Sequence, residues 1–157
     1  MEKGLTVQAS RNGMGIFAAK NFSGGGILFE IRGALITCNE EDNLDEKTRA
    51  NAFRFDKERY LSPTGGIGDF LNHSCSPNSS VTKINDKLFI MAAKNIPSGE
   101  EIVIDYSTIL ASDDVWEMQC NCGTKQCRKL IKKFISLPKA VRQKYVSLDM
   151  VPSYILE

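Results

Sequence analysis

Short runs of apolar and β-branched residues, four to six positions long and separated by Gly, Asn, Ser or Pro, dominate the first two thirds of the chain. Such runs predict strands over Leu5–Ala9, Gly15–Ala19, Ile27–Ile31, Ser80–Ile84, Lys87–Ala92 and Glu101–Tyr106. Asn85-Asp86 stands between two of them and predicts a tight hairpin. Helical spacing is rarer. It predicts one internal helix over residues 44–53, preceded by the acidic run Glu40-Glu41-Asp42, which suits the positive end of a helix dipole. Leu130, Ile131, Phe134 and Ile135 recur at helical spacing and predict a second over about 128–135, and residues 138–145 suggest a third. The class is therefore mainly β with a few helices.

An internal echo accompanies this pattern. Ala18-Ala19-Lys20-Asn21-Phe22 with Gly25 recurs 74 residues later as Ala92-Ala93-Lys94-Asn95-Ile96 with Gly99, each copy leading into an apolar strand. Two copies are too few for a solenoid, so a pair of related units within one β domain is expected. A length of 157 residues with 42% hydrophobic content supports one domain with its own core. The longest apolar stretches are five or six residues and the N-terminus lacks a basic-then-apolar pattern, which predicts no membrane span and a soluble, intracellular protein, and five cysteines with clustered spacing suit metal binding in a reducing compartment better than a disulfide framework.

Charge is segregated. Residues 1–119 hold 12 Lys and Arg against 17 Asp and Glu, whereas residues 120–148 hold eight basic residues and no acid. That tail is expected to be an amphipathic helix with a solvated basic face, and contact with a nucleic acid is the alternative. Cysteine spacing carries more specific chemistry. Cys120, Cys122 and Cys127 form C-x-C-x4-C, and three clustered thiolates leave one vertex of a zinc tetrahedron to be filled from elsewhere. Cys75, in Asn72-His73-Ser74-Cys75, is the candidate, while Cys38 is left as a free thiol. Such an ion would be structural and would draw the C-terminal segment beside Asn72 and His73.

Four segments, in order along the chain, carry a resemblance: Gly13-Met14-Gly15-Ile16-Phe17-Ala18, Asn72-His73-Ser74-Cys75-Ser76-Pro77-Asn78, Gly99-Glu100-Glu101-Ile102-Val103-Ile104-Asp105-Tyr106-Ser107, and Cys120-Asn121-Cys122-Gly123 with Cys127-Arg128. Together they resemble a SET-domain protein-lysine methyltransferase with a zinc-binding post-SET segment. The resemblance implies the SET fold of short twisted sheets with a threaded C-terminal segment. It implies a SET domain at 4–110 with a variable insert at about 38–60, a post-SET zinc segment at 111–130 and a helical tail at 131–157.

It also implies S-adenosylmethionine as cofactor and a lysine of a protein, a histone among the candidates, as substrate. Tyr106 is the expected catalytic residue, and Gly13, Met14, Gly15, Asn72, His73 and Tyr106 are the expected cofactor contacts. Trp116 and Met118 are expected to pack the join between body and tail, either of them beside the adenine. Two features depart from the family's commonest pattern: Ile104 stands where an aromatic often influences how many methyl groups fit, and Asp69-Phe70-Leu71 lacks an arginine often found there. A catalytically silent SET scaffold and a zinc-stabilised nucleic-acid binder are the alternative functions.

Overall fold

The computed structural model describes residues 2–157. Its strands are β1 (Leu5–Ser10), β2 (Gly13–Ala18), β3 (Ile27–Ile31), β4 (Ala34–Thr37), β5 (Phe53–Arg54), β6 (Arg59–Ser62), β7 (Asn72–His73), β8 (Ser79–Ile84), β9 (Lys87–Ala92), β10 (Glu101–Ile104), β11 (Met118–Gln119) and β12 (Leu130–Ile131). Three helices accompany them: α1 (Cys38–Asp42), α2 (Glu46–Arg49) and α3 (Lys139–Ser147). The strands form four small sheets in the orders β1-β2-β10-β7, β3-β9-β8, β4-β6-β5 and β11-β12. Mainly β with short sheets, as the alternation of apolar runs predicts, is the observed class.

Local chemistry explains where these elements fall. Asn85 and Asp86 both adopt positive φ (48° and 57°), the conformation that a two-residue turn needs to match strand twist, and Ile84 faces Lys87 across it. The repeated units pack against each other. Phe22 and Ile96 form an antiparallel bridge, Asn21 Oδ1 accepts the Ser98 N–H at 2.9 Å, and Asn95 Oδ1 accepts the Gly24 N–H at 2.9 Å. Each asparagine thus closes the turn of the opposite copy. Ile16, Leu88, Ile90, Ile96, Ile102 and Ile104 are completely buried between the sheets. In β10 burial alternates, Ile102 and Ile104 being fully buried while Glu101 and Val103 are half-buried.

Of the predicted helices, one is shortened to Glu46–Arg49 and one is not found. Over 44–53 the acidic run is itself helical: Thr37 and Glu40 form a capping box that starts α1 at Cys38, and Asp45 then caps a separate α2 by accepting the Thr48 N–H at 3.0 Å. The chain leaves the helix at Arg49 because Phe53 and Arg54 pair with Leu61 and Tyr60. Over 128–135, Leu130 and Ile131 pair with Gln119 and Met118, and Lys129 takes a left-handed φ of 65°. Only a short 3-10 turn, Phe134–Ser136, follows. The helix expected over 138–145 is α3. The basic tail is therefore not one amphipathic helix; Phe134, Leu137, Tyr145, Met150, Tyr154 and Ile155 are buried in the same core as the sheets.

The crossing of residues 72–79 over β10 positions the site. β7 runs parallel to β10, pairing Asn72 with Val103 and His73 with Ile104. The Ser74 N–H donates to the Ile104 carbonyl at 2.9 Å. Asn78 lies along the same edge, its Nδ2 donating to the Glu101 carbonyl at 2.8 Å while its Oδ1 accepts the Val103 N–H at 3.0 Å. Its side chain does the work of a strand partner.

Candidate active site and sulfur cluster

Immediately past β10 the chain turns, and the turn presents Tyr106. Asp105 caps this 3-10 turn (Tyr106–Ile109) by accepting the Ser107 N–H at 3.0 Å. The Tyr106 hydroxyl donates to the Leu71 carbonyl, and its ring lies 5.3 Å from His73 and 6.1 Å from Trp116. Burial, reinforced by the charge of Glu101, pushes this phenol well above its ordinary range, so it stays neutral at physiological pH. A neutral phenol donating to a carbonyl still offers oxygen lone pairs to a second group. It is a hydrogen-bonding partner rather than a base.

His73 is also neutral. Burial is the main force pulling its pKa down to about 4; Asp105 works against this and Arg128 with it. Its Nδ1 accepts the Tyr106 N–H at 3.0 Å, so the ring proton sits on Nε2, which faces Cys75 Sγ at 3.3 Å. The 3.6 Å separation between His73 Nδ1 and Asp105 is consequently not an ion pair. The imidazole links the tyrosine turn to the sulfur cluster.

Cys75, Cys120, Cys122 and Cys127 are brought together as expected, with all four Sγ atoms within 4.8 Å of one another and Cys75 Sγ 3.7 Å from Cys120 Sγ. A tetrahedral zinc with Zn–S bonds of about 2.3 Å spaces its sulfurs at about 3.8 Å, so the donor set fits the ion. Burial raises the Cys75 and Cys120 thiols, and a cation replacing the protons is the ordinary way such a cluster closes. The Arg128 N–H donates to Cys75 Sγ at 3.4 Å, and together with His73 supplies the outer partners that thiolate ligands take. Cys38 is remote from the cluster, at the start of α1, with its Sγ directed to the Lys57 carbonyl at 3.8 Å.

Two cavities meet at Tyr106. A narrow one of about 60 Å³ is bounded by Ala50–Arg54 of the insert, Leu71, Ile109, Leu110 and Trp116. A wider one of about 330 Å³ is lined by Asn12, Asn72, His73, Trp116, Met118 and Cys122. Tyr106, Ala50, Asn51 and Trp116 belong to both walls. A polar cleft of about 190 Å³ adjoins the wider cavity through Asn12, Asn72, His73 and Cys122, and adds Arg11, Glu100 and Glu101.

The expected cofactor residues divide. Asn72 and His73 line the wider cavity, whereas Gly13, Met14 and Gly15 do not. Gly13 leaves the hairpin turn with φ 93°, and Met14 and Gly15 lie in β2. Met14 and Gly15 adjoin Asn72. Asn72 Nδ2 lies 3.0 Å from the Met14 carbonyl, 3.0 Å from Ser10 Oγ and 2.8 Å from Glu101 Oε1. A Cβ on Gly15 would come within 2.2 Å of that carboxylate oxygen, so glycine permits the approach. The hairpin tip reaches the cysteine loop instead: Arg11 Nε and Asn12 Nδ2 donate to the Asn121 carbonyl at 2.9 and 3.1 Å.

Sequence reasoning missed this clasp and the contribution of Ala50 and Asn51, since no spacing rule links them to the motifs. It also missed Arg54, whose 4% exposed guanidinium meets Asp113 at 3.0 Å, Asp114 at 3.3 Å and the Tyr60 hydroxyl at 3.0 Å in the wall of the narrow cavity. Of the acidic run, Glu40 and Asp45 cap helices and Glu41 and Asp42 pair with Arg49. Glu41 is buried and faces the narrow cavity, while Glu40 and Asp45 are at the helix starts and Asp42 ends α1.

Comparison with known proteins fixes the family. A SET domain profile matches residues 13–107. The chain belongs to the SET-domain family. Among its relatives, histone-lysine N-methyltransferase 2D of Homo sapiens is 33% identical over 128 residues, covering 74% of this chain and 2% of its own. Histone-lysine N-methyltransferase trr of Drosophila melanogaster is 32% identical over 129 residues, covering 74% and 5%. Histone H3-lysine(4) N-trimethyltransferase ATX1 of Arabidopsis thaliana is 31% identical over 133 residues, covering 76% and 12%. This SET chain thus spans a small fraction of the length of these relatives. No helix among its described residues is long and apolar enough to cross a membrane.

Proposed function

We propose that this SET domain is a protein-lysine N-methyltransferase that uses S-adenosylmethionine, with a histone as the first substrate class to try. The observation that carries the reading is the position of Tyr106, whose ring separates and belongs to both a narrow, largely apolar cavity and a wider one with polar walls. Methyl transfer to an amine needs donor and nucleophile held in line from opposite sides, and such an arrangement makes a two-body encounter effectively unimolecular. When bound, S-adenosylmethionine would supply an electrophilic methyl on a positively charged sulfur.

Asn72, His73 and, across the join, Trp116 and Met118 are the residues we assign to hold that cofactor in the wider cavity. The adjoining cleft offers Arg11 beside Glu100 and Glu101, charges of both signs suited to an amino-acid zwitterion. Met14 and Gly15 set Asn72 in place, and Gly13 supplies the left-handed φ of 93° that the turn before them needs. The narrow cavity takes the lysine side chain. Its apolar walls (Phe53, Leu71, Ile109, Leu110) remove water from an ammonium whose free pKa is about 10.4 and so favour the neutral amine, and the two carboxylates that share the lining, Glu41 and Asp114, are each paired with an arginine. Tyr106 orients that amine through its oxygen, and no covalent intermediate on the protein is required.

In this reading Cys75, Cys120, Cys122 and Cys127 carry a structural zinc, residues 111–130 form the post-SET segment, and the tail beyond docks on the SET domain. The decisive experiment incubates the protein with isotopically labelled S-adenosylmethionine, a histone panel and a lysate, and reads methyl-lysine by mass spectrometry. Cofactor binding without any labelled lysine would leave the silent scaffold. Salt-dependent nucleic-acid binding without cofactor binding would favour the nucleic-acid reading.

A further inference from the structure

Asp105 is 1% exposed and is held by three donors from three parts of the chain. Its Oδ1 accepts the Ser107 N–H at 3.0 Å and Arg128 Nη2 at 2.8 Å, and its Oδ2 accepts the Tyr145 hydroxyl at 2.8 Å. Ser107 belongs to the turn that presents Tyr106. Arg128 follows the last cysteine of the cluster, and its own N–H donates to Cys75 Sγ. Tyr145 lies on α3, an element that supplies none of the four sulfurs and lines neither cavity at Tyr106. Apolar anchoring of α3 would need only a ring. The hydroxyl is spent on the carboxylate next to the tyrosine of the site.

We infer that Tyr145 is a positioning residue, coupling the docking of the C-terminal tail, through Asp105, to closure of the sulfur cluster and to the setting of Tyr106. The inference rests on the cluster binding zinc. A closed cluster fixes the backbone at Cys127 and thereby Arg128, which brings its guanidinium to Asp105. With both Arg128 and Tyr145 in place the buried carboxylate is fully partnered; with either displaced, it keeps charge in a dry site with fewer donors, which weakens the hold on the other. Coupling of this kind is reciprocal, so the tail must favour the closed cluster as much as the closed cluster favours the tail.

The test uses the zinc-loaded full chain and its Tyr145→Phe variant. Zinc affinity is measured by competition with a chromophoric chelator, and amide hydrogen exchange is followed across residues 139–147 before and after chelation. In the parent, chelation should accelerate exchange in α3; in Tyr145→Phe, zinc should bind about tenfold more weakly, within the usual range of coupling between sites. Tyr154→Phe is the control, because it removes another buried tyrosine hydroxyl from the same tail, one donated to the Arg54 carbonyl at 2.9 Å. It should loosen the tail while leaving zinc affinity within twofold. A folded Tyr145→Phe protein with parental zinc affinity overturns the coupling alone. Equal weakening by Tyr154→Phe overturns it in favour of general tail stability. A folded parent chain that binds no zinc removes the metal reading first and the coupling with it.

Discussion

Replacing Tyr106 with Phe removes a single oxygen and keeps the ring that packs beside His73 and Trp116. The Leu71 carbonyl loses its donor in a buried place, a loss that costs about 1–3 kcal/mol of folding stability. Domains of this kind have about 5–15 kcal/mol to lose, so the variant should fold, with a modestly lower melting temperature. The catalytic effect should be larger. A preorganised polar group at a reacting centre is worth about 10²–10³ in kcat, and none of the side chains assigned to cofactor binding depends on this hydroxyl. Calorimetry should therefore find S-adenosylmethionine affinity within twofold of the parent, while mass-spectrometric initial rates fall by about two orders of magnitude. The reasoning fails if the folded variant methylates within threefold of the parent rate. It fails differently if cofactor affinity collapses, since the Tyr106 hydroxyl, on a ring that walls both cavities, would then hold the cofactor rather than orient the amine.

Cys75→Ser should leave three of the four thiolates and lose zinc on dialysis, as read by elemental analysis; retention of one zinc per chain would require a ligand from outside the cluster. Gly15→Ala sets a methyl group against Glu101 Oε1 and should push the carboxylate off Asn72, weakening cofactor binding about tenfold, or about 1.4 kcal/mol, with little change in melting. Unchanged affinity would show that the Asn72–Glu101 contact is dispensable. Arg54→Met strips donors from Asp114, Tyr60 and the carbonyls of Asp56 and Lys57, and should cost about 3–5 kcal/mol in denaturant titration at unchanged m-value. A shift below 1 kcal/mol would mean that water substitutes for the guanidinium.

Strands were legible because their signal is local. A run such as Lys87–Ala92 alternates or saturates with apolar residues, and the Asn85-Asp86 turn beside it carries its own conformational preference. The helix predicted over 44–53 is cut to Glu46–Arg49 where two local signals compete: the acidic run read as a preface to a helix is itself one, because Thr37 three residues before Glu40 supplies a cap. The predicted helix over 128–135 failed for a non-local reason. Leu130 and Ile131 have helical spacing to Phe134, but the cysteine loop returns them to Met118 and Gln119, and pairing decides their state. Sequence periodicity cannot express a constraint imposed by sulfur atoms on a different segment.

The site divides in the same way. Asn72, His73, Cys75 and Tyr106 were visible because they sit in compact motifs, and β7 alongside β10 then brings them together. Gly15 was visible too, as a motif letter, but nothing local told that its missing Cβ leaves Glu101 room to reach Asn72. Arg128 was counted among the cations of a solvated basic tail. It is instead turned inward onto Asp105, at 17% side-chain exposure, and Lys133 donates to the Ser112 carbonyl at 2.8 Å. Removing these two from the basic face leaves Lys125, Lys129 and Lys132 on the loops either side of β12 and Lys139, Arg142 and Lys144 on the nine-residue α3. A polyanion is gripped most strongly by cations held along one continuous surface, whereas here the tail's best-placed cation serves a buried carboxylate. The charge asymmetry of the chain is thus partly an internal bond between tail and site.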